Sequence, residues 1–286
     1  MIQRIRLSWD LVKASFSVLR EDKELLIYPI LSSIGVLIVT ISFALPSLIT
    51  GGIQIGISET GFNIDILGFI IAFLFYFTQY FVITFCNSAL VGAAMIRLRG
   101  GDPTVRDGFR IAFEHIGIIL GYTAIASTVG MILRMLSERS RGLGRLAVSL
   151  VGLAWNLATF LVVPVLVVEG IGPFNAIKRS AELLKKTWGE QIVGNLSIGL
   201  IFGFLILGFF TITLIPGIAL SIWLENALIM IPFGIALILG VMFFSLLSST
   251  LNGIFSAAVY RYAAESQIGD FFSPEIVQDA FRRKQP

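Results

Sequence analysis

Four side-chain amides lie inside long apolar stretches of this sequence, where few other residues could take part in chemistry. They are Asn87, Asn156, Asn252 and Gln79. An amide surrounded by hydrocarbon is costly unless it is hydrogen-bonded, so such residues face the interior of a helix bundle or a cavity. Two interpretations stay open. The four residues line a site for a substrate or a lipid headgroup, or they hydrogen-bond one helix to another.

Motifs for catalysis, cofactors and metals are missing from the sequence. It contains no nucleophile elbow, no phosphate-binding glycine loop and no metalloprotease helix. Its single cysteine, Cys86, is interpreted as a small core residue, and its single histidine, His115, as an interfacial residue beside Glu114. We therefore expect a protein without catalytic activity, cofactor or metal. An intramembrane enzyme remains an alternative.

The composition indicates a membrane protein. Hydrophobic residues make up 56% of the 286 residues and charged residues 14%, with a mean hydropathy of +0.89, whereas soluble domains carry about 25% charged residues. A net charge of +3 is too small to indicate a nucleic-acid partner. The predicted fold is an all-α polytopic helix bundle with six transmembrane helices. The predicted spans are 25–49, 66–96, 116–136, 146–168, 192–214 and 230–262.

Several features of the spans are expected from particular residues. The first span is predicted to be an uncleaved helix, because the segment before it mixes acidic with basic residues. The second and sixth stretches exceed 30 residues, so each is predicted to tilt or to continue beyond the hydrocarbon core. Pro164 is predicted to kink the fourth span near residue 160 and is a candidate hinge. The stretch 215–229 is predicted to be an interfacial segment between the fifth and sixth spans.

The distribution of basic residues predicts the orientation. Segments 1–24, 97–115, 169–191 and 261–286 together carry 17 of the 21 lysines and arginines, and loops 50–65 and 215–229 carry none. By the positive-inside rule, both termini are expected in the cytoplasm and the protein in the cell (inner) membrane. The other four basic residues lie in loop 134–145, on the predicted outer side. They either cover something anionic or show that the third span is misplaced.

Amphipathic helices are predicted in the segments on the cytoplasmic side. Apolar residues recur with helical period in 5–22, 103–115 and 173–188, and a further helix is predicted at 274–283. Asp102 and Ser273, each followed by proline, are the predicted caps of the second and fourth of these helices. Basic amphipathic helices lie in the headgroup plane and bind anionic lipid. The candidate contacts to anionic headgroups are Lys178, Arg179, Lys185 and Lys186.

A threefold internal repeat is a further hypothesis. The order of amphipathic helix, span, loop and span recurs three times, and each even-numbered span carries one of the three asparagines. A triplet of small, apolar and basic residues follows each even-numbered span. The triplets lie at 108–110, 176–178 and 280–282. The repeat predicts that the even-numbered spans gather around a common centre, with the amphipathic helices outside them.

Several motifs resemble those of a known protein family. They are Trp155-Asn156, Val163-Pro164-Val165, Glu169-Gly170-Ile171-Gly172-Pro173, Ala176-Ile177-Lys178-Arg179-Ser180 and Thr187-Trp188-Gly189-Glu190, with residues 10–15 and 22–26 nearer the start. Together they resemble an uncharacterised family of prokaryotic six-span membrane proteins, a domain of unknown function. The part from Pro164 to Ser180 is more distantly similar to the membrane domain of some glycerophosphodiester phosphodiesterases. That resemblance implies a membrane domain and a lipid-related role without the enzyme's activity.

We therefore predict a single integral membrane domain over residues 1–286. The expected role is a non-catalytic module that binds lipid or a protein partner, or forms a homo-oligomer, through its basic surface. A transporter or channel with a path along the Asn-bearing even-numbered spans is the main alternative.

Overall fold

The computed structural model describes residues 13–49, 66–187 and 192–265, and all regular structure in these ranges is helical. Residues 13–21 belong to the first helix, α1. The later helices are α2 (Ile27–Ile49), α3 (Ile66–Leu98), α4 (Val105–Glu114), α5 (Ile116–Arg139), α6 (Leu143–Ala158), α7 (Val162–Glu169), α8 (Pro173–Thr187), α9 (Ile192–Trp223) and α10 (Met230–Glu265).

Six helical segments are long and apolar enough to cross a membrane. They are Lys23–Pro46, Gly68–Leu98, Ile116–Arg139, Leu143–Glu169, Ile201–Trp223 and Ala227–Glu265. The protein is therefore a multi-pass all-α membrane protein, which confirms the predicted fold class. The predicted excess length is also confirmed, since α3 has 33 residues and α10 has 36.

The spans pack as consecutive hairpins around a centre formed by the even-numbered ones. Helix α2 packs against α3, α5 against α6, and α9 against α10. Helices α3, α7 and α10 each contact the other two, so the even-numbered spans gather as the repeat hypothesis predicts. The symmetry relation between the units stays a prediction.

The buried core lies along one half of the bundle. Buried side chains of α3 fall between Thr84 and Leu98, and those of α10 between Thr250 and Ala263. Alanine, glycine and serine are frequent in both stretches, and small residues let membrane helices approach closely. Helices α4 and α8 cover this half. Ion pairs lie at the terminal end of this half of the bundle, and we call this region the ionic end. Its defining residues are Asp22, Arg97, Glu169, Arg179 and Glu265.

The fourth span is interrupted. Helix α6 ends at Ala158, a turn follows, and α7 begins at Val162. Pro164 lacks the N–H that would bond to the carbonyl of Phe160 in a continuous helix. The break therefore lies where the sequence placed the kink. Whether Pro164 acts as a hinge stays a prediction.

The fifth span differs from its prediction. Helix α9 continues through Pro216 to Trp223, so the first part of the stretch 215–229 extends the fifth span, and an interfacial position for the rest stays a prediction. Contact with α10 explains the difference: a Cβ built on Gly217 would lie 2.9 Å from the ring of Phe233. This close packing stabilises the part of α9 around and after Pro216, where the proline removes one backbone hydrogen bond.

The start of α4 also differs from its prediction. Its cap is Thr104, and neither Asp102 nor Pro103 belongs to the helix. The Thr104 hydroxyl accepts from the backbone N–H of Asp107, and the Asp107 carboxylate accepts from the backbone N–H of Thr104. This reciprocal capping box satisfies two donors at once, whereas the Asp102 carboxylate pairs with Arg97. Predicted helix 274–283, its cap Ser273 and residues 1–12 lie outside the described residues.

Candidate intramembrane pocket and basic helices

A pocket of about 340 Å³ lies where α2, α3 and α10 meet the interruption of the fourth span. Asn87 of α3 and Asn252 of α10 both line it. The structure thus brings together two of the four amides singled out in the sequence. Phe160 and Val163 form the wall contributed by the interrupted span.

The crossing of α3 and α10 brings the two asparagines to the same depth. A Cβ built on Gly253 would lie 2.4 Å from the Leu90 side chain and 3.3 Å from Asn87 Oδ1. Glycine at 253 is therefore required by the close approach of the helices. Asn252 Nδ2 donates to the carbonyl of Ser248 at 2.9 Å, a bond within its own helix.

The other two amides lie elsewhere. Asn156 is exposed on α6, before the interruption, and does not line the pocket. Gln79 Nε2 donates to Thr40 Oγ1 at 2.8 Å and joins α3 to α2. The predicted cluster of four therefore divides into a pocket pair, an interhelical hydrogen bond and an exposed residue.

Serines complete the polar lining, although they were not among the predicted site residues. They are Ser32 of α2 with Ser249 and Ser256 of α10. Ser249, Asn252 and Ser256 are spaced three and four residues apart, so they share one face of α10. That spacing was the available signal. Cys86 also lines the pocket.

The pocket is polar but uncharged. No Asp, Glu, Lys, Arg or His is among the described residues that line it. Within the described ranges no group of three His, Cys, Asp or Glu side chains is placed to hold a metal ion. Hydroxyls and amides both donate and accept hydrogen bonds. The lining therefore suits an uncharged polar group with apolar surroundings.

The two pocket asparagines lie at similar distances from the ionic end along their helices. Asn87 precedes Arg97 by ten residues, and Asn252 precedes Arg261, which pairs with Glu265, by nine. At about 1.5 Å per residue the separation is roughly 14 Å.

Ion pairs and hydrogen bonds join the helices at the ionic end. Arg97 Nε lies 2.9 Å from an Asp22 carboxylate oxygen, which ties α3 to the turn before α2. Glu169 Oε1 accepts from Arg179 Nε at 3.1 Å and from the Tyr260 hydroxyl at 3.0 Å. One carboxylate of α7 thereby holds α8 and α10.

The four candidate lipid-binding cations are not equivalent. Lys178 and Lys185 are exposed on α8. Arg179 pairs with Glu169 and is partly exposed, so its contact with lipid stays a prediction. The side chain of Lys186 lies outside the described part of the chain.

The repeated triplet occupies matching positions in α4 and α8. Its small residue, Gly108 or Ala176, is buried, and the apolar residue, Phe109 or Ile177, packs against the core. Its basic residue, Arg110 or Lys178, is exposed. The third triplet, 280–282, lies outside the described residues.

Comparison with known proteins places the chain in a family. Residues 66–271 match the model of DUF6159, a family of unknown function. No curated protein matches the chain.

Proposed function

We propose that this chain, which belongs to the DUF6159 family of unknown function, is a non-catalytic membrane protein that binds anionic lipid headgroups through α1, α4 and α8. One observation carries the proposal. Each of these helices exposes a phenylalanine, with exposed fractions of 47% for Phe16, 60% for Phe113 and 75% for Phe174. Such exposure is unusual for an aromatic residue in water and suits the boundary between headgroups and acyl chains.

Basic residues share the face of each exposed phenylalanine. Lys13 and Arg20 lie three before and four after Phe16 on α1. On α8, Lys178 lies four residues after Phe174 and Lys185 seven after Lys178. These spacings place each cation on the same side of its helix as the aromatic ring.

Helix α4 repeats this arrangement. Arg110 lies three residues before Phe113 and Arg106 seven before it. Arg110 pairs with Asp107 and Glu114 on its own helix, but the side chains of Arg110 and Glu114 are largely exposed and such pairs contribute little. We call the exposed basic and aromatic residues of α1, α4 and α8 the basic collar.

The orientation that we propose places the basic collar in the cytoplasm of the cell (inner) membrane. The positive-inside rule supports it, and it puts both termini inside and loop 134–145 outside. The cytoplasmic leaflet is the anionic one, and each Lys or Arg near it contributes about 1 kcal/mol. The distant resemblance to the membrane domain of glycerophosphodiester phosphodiesterases also supports a lipid-related role.

Charge neutralisation on matched surfaces tests the proposal. The collar variant changes Arg106, Arg110, Lys178 and Lys185 to Gln, and the control variant changes Arg134, Arg139, Arg141 and Arg145 to Gln. Both remove four positive charges. The variants are purified in a gentle detergent with equal phosphatidylglycerol and phosphatidylcholine, and retained lipids are counted by native mass spectrometry, which also gives the stoichiometry of the protein.

We expect the collar variant to lose phosphatidylglycerol several-fold at low salt and the control to retain it. The difference should shrink as ionic strength rises, because salt screens exposed charges. The proposal would be refuted if both variants kept their bound phosphatidylglycerol at low salt. It would also be refuted if both variants lost the same amount of it.

A second candidate function is transport of a small uncharged solute, and the interruption of the fourth span beside the pocket favours it. Transporters form their sites from discontinuous helices near the bilayer midplane. Glycerol is a suitable probe. Light scattering from proteoliposomes should show glycerol entry above that of empty liposomes and its loss in Asn252→Leu. Entry no faster than through protein-free bilayers would exclude this function for glycerol-sized solutes.

A further inference from the structure

The pocket between α2, α3, α10 and the interrupted span has an open side and a closed side. At the open side, Ile83 is 47% exposed and Ser249 is also exposed. Toward the ionic end, Leu90, Gly253 and Ser256 are buried and close it. Access is therefore from the half of the bundle that lacks a packed core.

The surface beyond the opening is apolar. One to two helical turns farther from the ionic end, α2 exposes Leu37 and α10 exposes Met242. In a membrane-spanning helix such side chains contact acyl chains. A molecule whose head fills the pocket can therefore leave its hydrocarbon chain along this surface.

The lining determines the kind of head. Three serine hydroxyls and two asparagine amides line the pocket, together with apolar walls. A phosphate or an ammonium group would lose its hydration there without gaining an opposite charge, which is a large cost. A hydroxyl group would instead donate and accept hydrogen bonds with Ser32, Asn87 and Asn252, and an ester carbonyl would accept them. The volume of about 340 Å³ lies near the lower end of the usual range for ligand pockets, so the head is small.

We propose that this pocket binds the uncharged head of a neutral lipid, a glycerol ester with an unesterified hydroxyl, whose chains leave past Ile83 and Ser249. The pocket asparagines lie about 14 Å along their helices from the ionic end, and none of the described lining residues is charged. The pocket is therefore independent of the basic collar, and neither proposal requires the other.

Photolabelling of the full-length protein tests the site. The probe is a diacylglycerol with a diazirine near the ester end of one chain, at low mole fraction in phosphatidylcholine nanodiscs. We expect saturable labelling that peptide mapping assigns to α2, α3 and α10 around the opening. Unlabelled dioleoylglycerol should compete with the probe, and dioleoylphosphatidylglycerol should not.

A matched pair of variants makes the result specific. Ser249→Leu places a larger side chain at the opening and should lower the labelling several-fold. Ser42→Leu makes the same change on the exposed surface of α2, ten residues from Ser32, and should leave labelling unchanged. Both changes are at exposed positions, so both variants should fold, and their unfolding temperatures verify this.

Three results would overturn the assignment. They are labelling that does not saturate, labelling that Ser249→Leu leaves unchanged, and equal competition by phosphatidylglycerol. The variant with four neutralised collar residues should keep full diacylglycerol labelling. If it loses phosphatidylglycerol but retains this labelling, the two lipid sites are separate.

Discussion

The hydroxyl of Ser180 accepts a hydrogen bond of 3.0 Å from the backbone N–H of Leu161, and both residues are fully buried. Leu161 lies in the interruption between α6 and α7, where a continuous helix would supply its own acceptor. Ser180 lies on α8, the amphipathic helix that packs against α7. A side chain of a basic helix therefore satisfies a backbone group inside a transmembrane span, as a non-helical backbone at this depth requires.

Replacing Ser180 by alanine should destabilise the protein by about 1–3 kcal/mol, because it leaves a buried N–H without an acceptor. Equilibrium unfolding in a mixed-micelle denaturant series measures the loss. Ser42→Ala is the control, since the Ser42 hydroxyl is exposed and bonds only within its own helix. Equal stability of the two variants would contradict the role assigned to Ser180.

The packing of α4 against α3 should depend on glycine at position 108. A Cβ there would meet the Tyr28 hydroxyl at 2.1 Å and the carbonyl of Ala89 at 2.6 Å. We therefore expect Gly108→Ala to cost about 1–3 kcal/mol through displacement of α4, the usual range for overpacking. Thermal unfolding in detergent measures it.

Gly117→Ala is the control for that substitution. A Cβ at Gly117, on α5, has no neighbour within 4 Å. Helix propensity then favours alanine by up to about 1 kcal/mol. A comparable loss of stability in both variants would show that the α3–α4 contact is not the cause.

The pair of Asp22 and Arg97 should show strong coupling. The Asp22 side chain is 6% exposed and that of Arg97 17%, so Arg97→Gln strands a buried carboxylate at a cost of about 3–5 kcal/mol. The pairing of Arg97 with the exposed Asp102 should add little. Adding Asp22→Asn should restore part of the stability, and a double-mutant cycle measures the coupling. Additive effects would contradict a direct pair.

The start of α4 should respond to acid. The hydrogen bond from the Thr104 side chain lowers the pKa of the Asp107 carboxyl below its usual value. Because the folded-state pKa is lowered, the ionised Asp107 carboxylate stabilises the helix at pH values above the ordinary pKa of about 3.9. This contribution is lost as the pH falls through the lowered pKa. Hydrogen exchange at the α4 amides, corrected for intrinsic rates, should show protection falling with acid in this window. Asp107→Asn should remove that dependence, and an unchanged dependence would assign it to another group.

Properties that depend on solvation along one helix could be predicted from the sequence. Apolar length alone set the six spans and the excess length of α3 and α10, because lipid solvates such stretches without tertiary contacts. Pro164 marked the interruption, since the missing N–H is a property of the residue. The cost of an amide in hydrocarbon also identified Asn87 and Asn252 as residues of the interior.

The tertiary structure decided which helix each face meets. Asn156, like Asn87 and Asn252, lies in an apolar even-numbered span, yet it lies on α6 before the interruption and is exposed. Within one predicted stripe, Phe109 packs against Tyr28 and Phe85, whereas Phe113 contacts Phe85 edge-on and is still largely exposed. Arg179 is a candidate lipid contact in the sequence, and the tertiary structure also places Glu169 beside it as an ion-pair partner. Helical periodicity determines which residues share a face, and only the packing of the other helices determines what covers it.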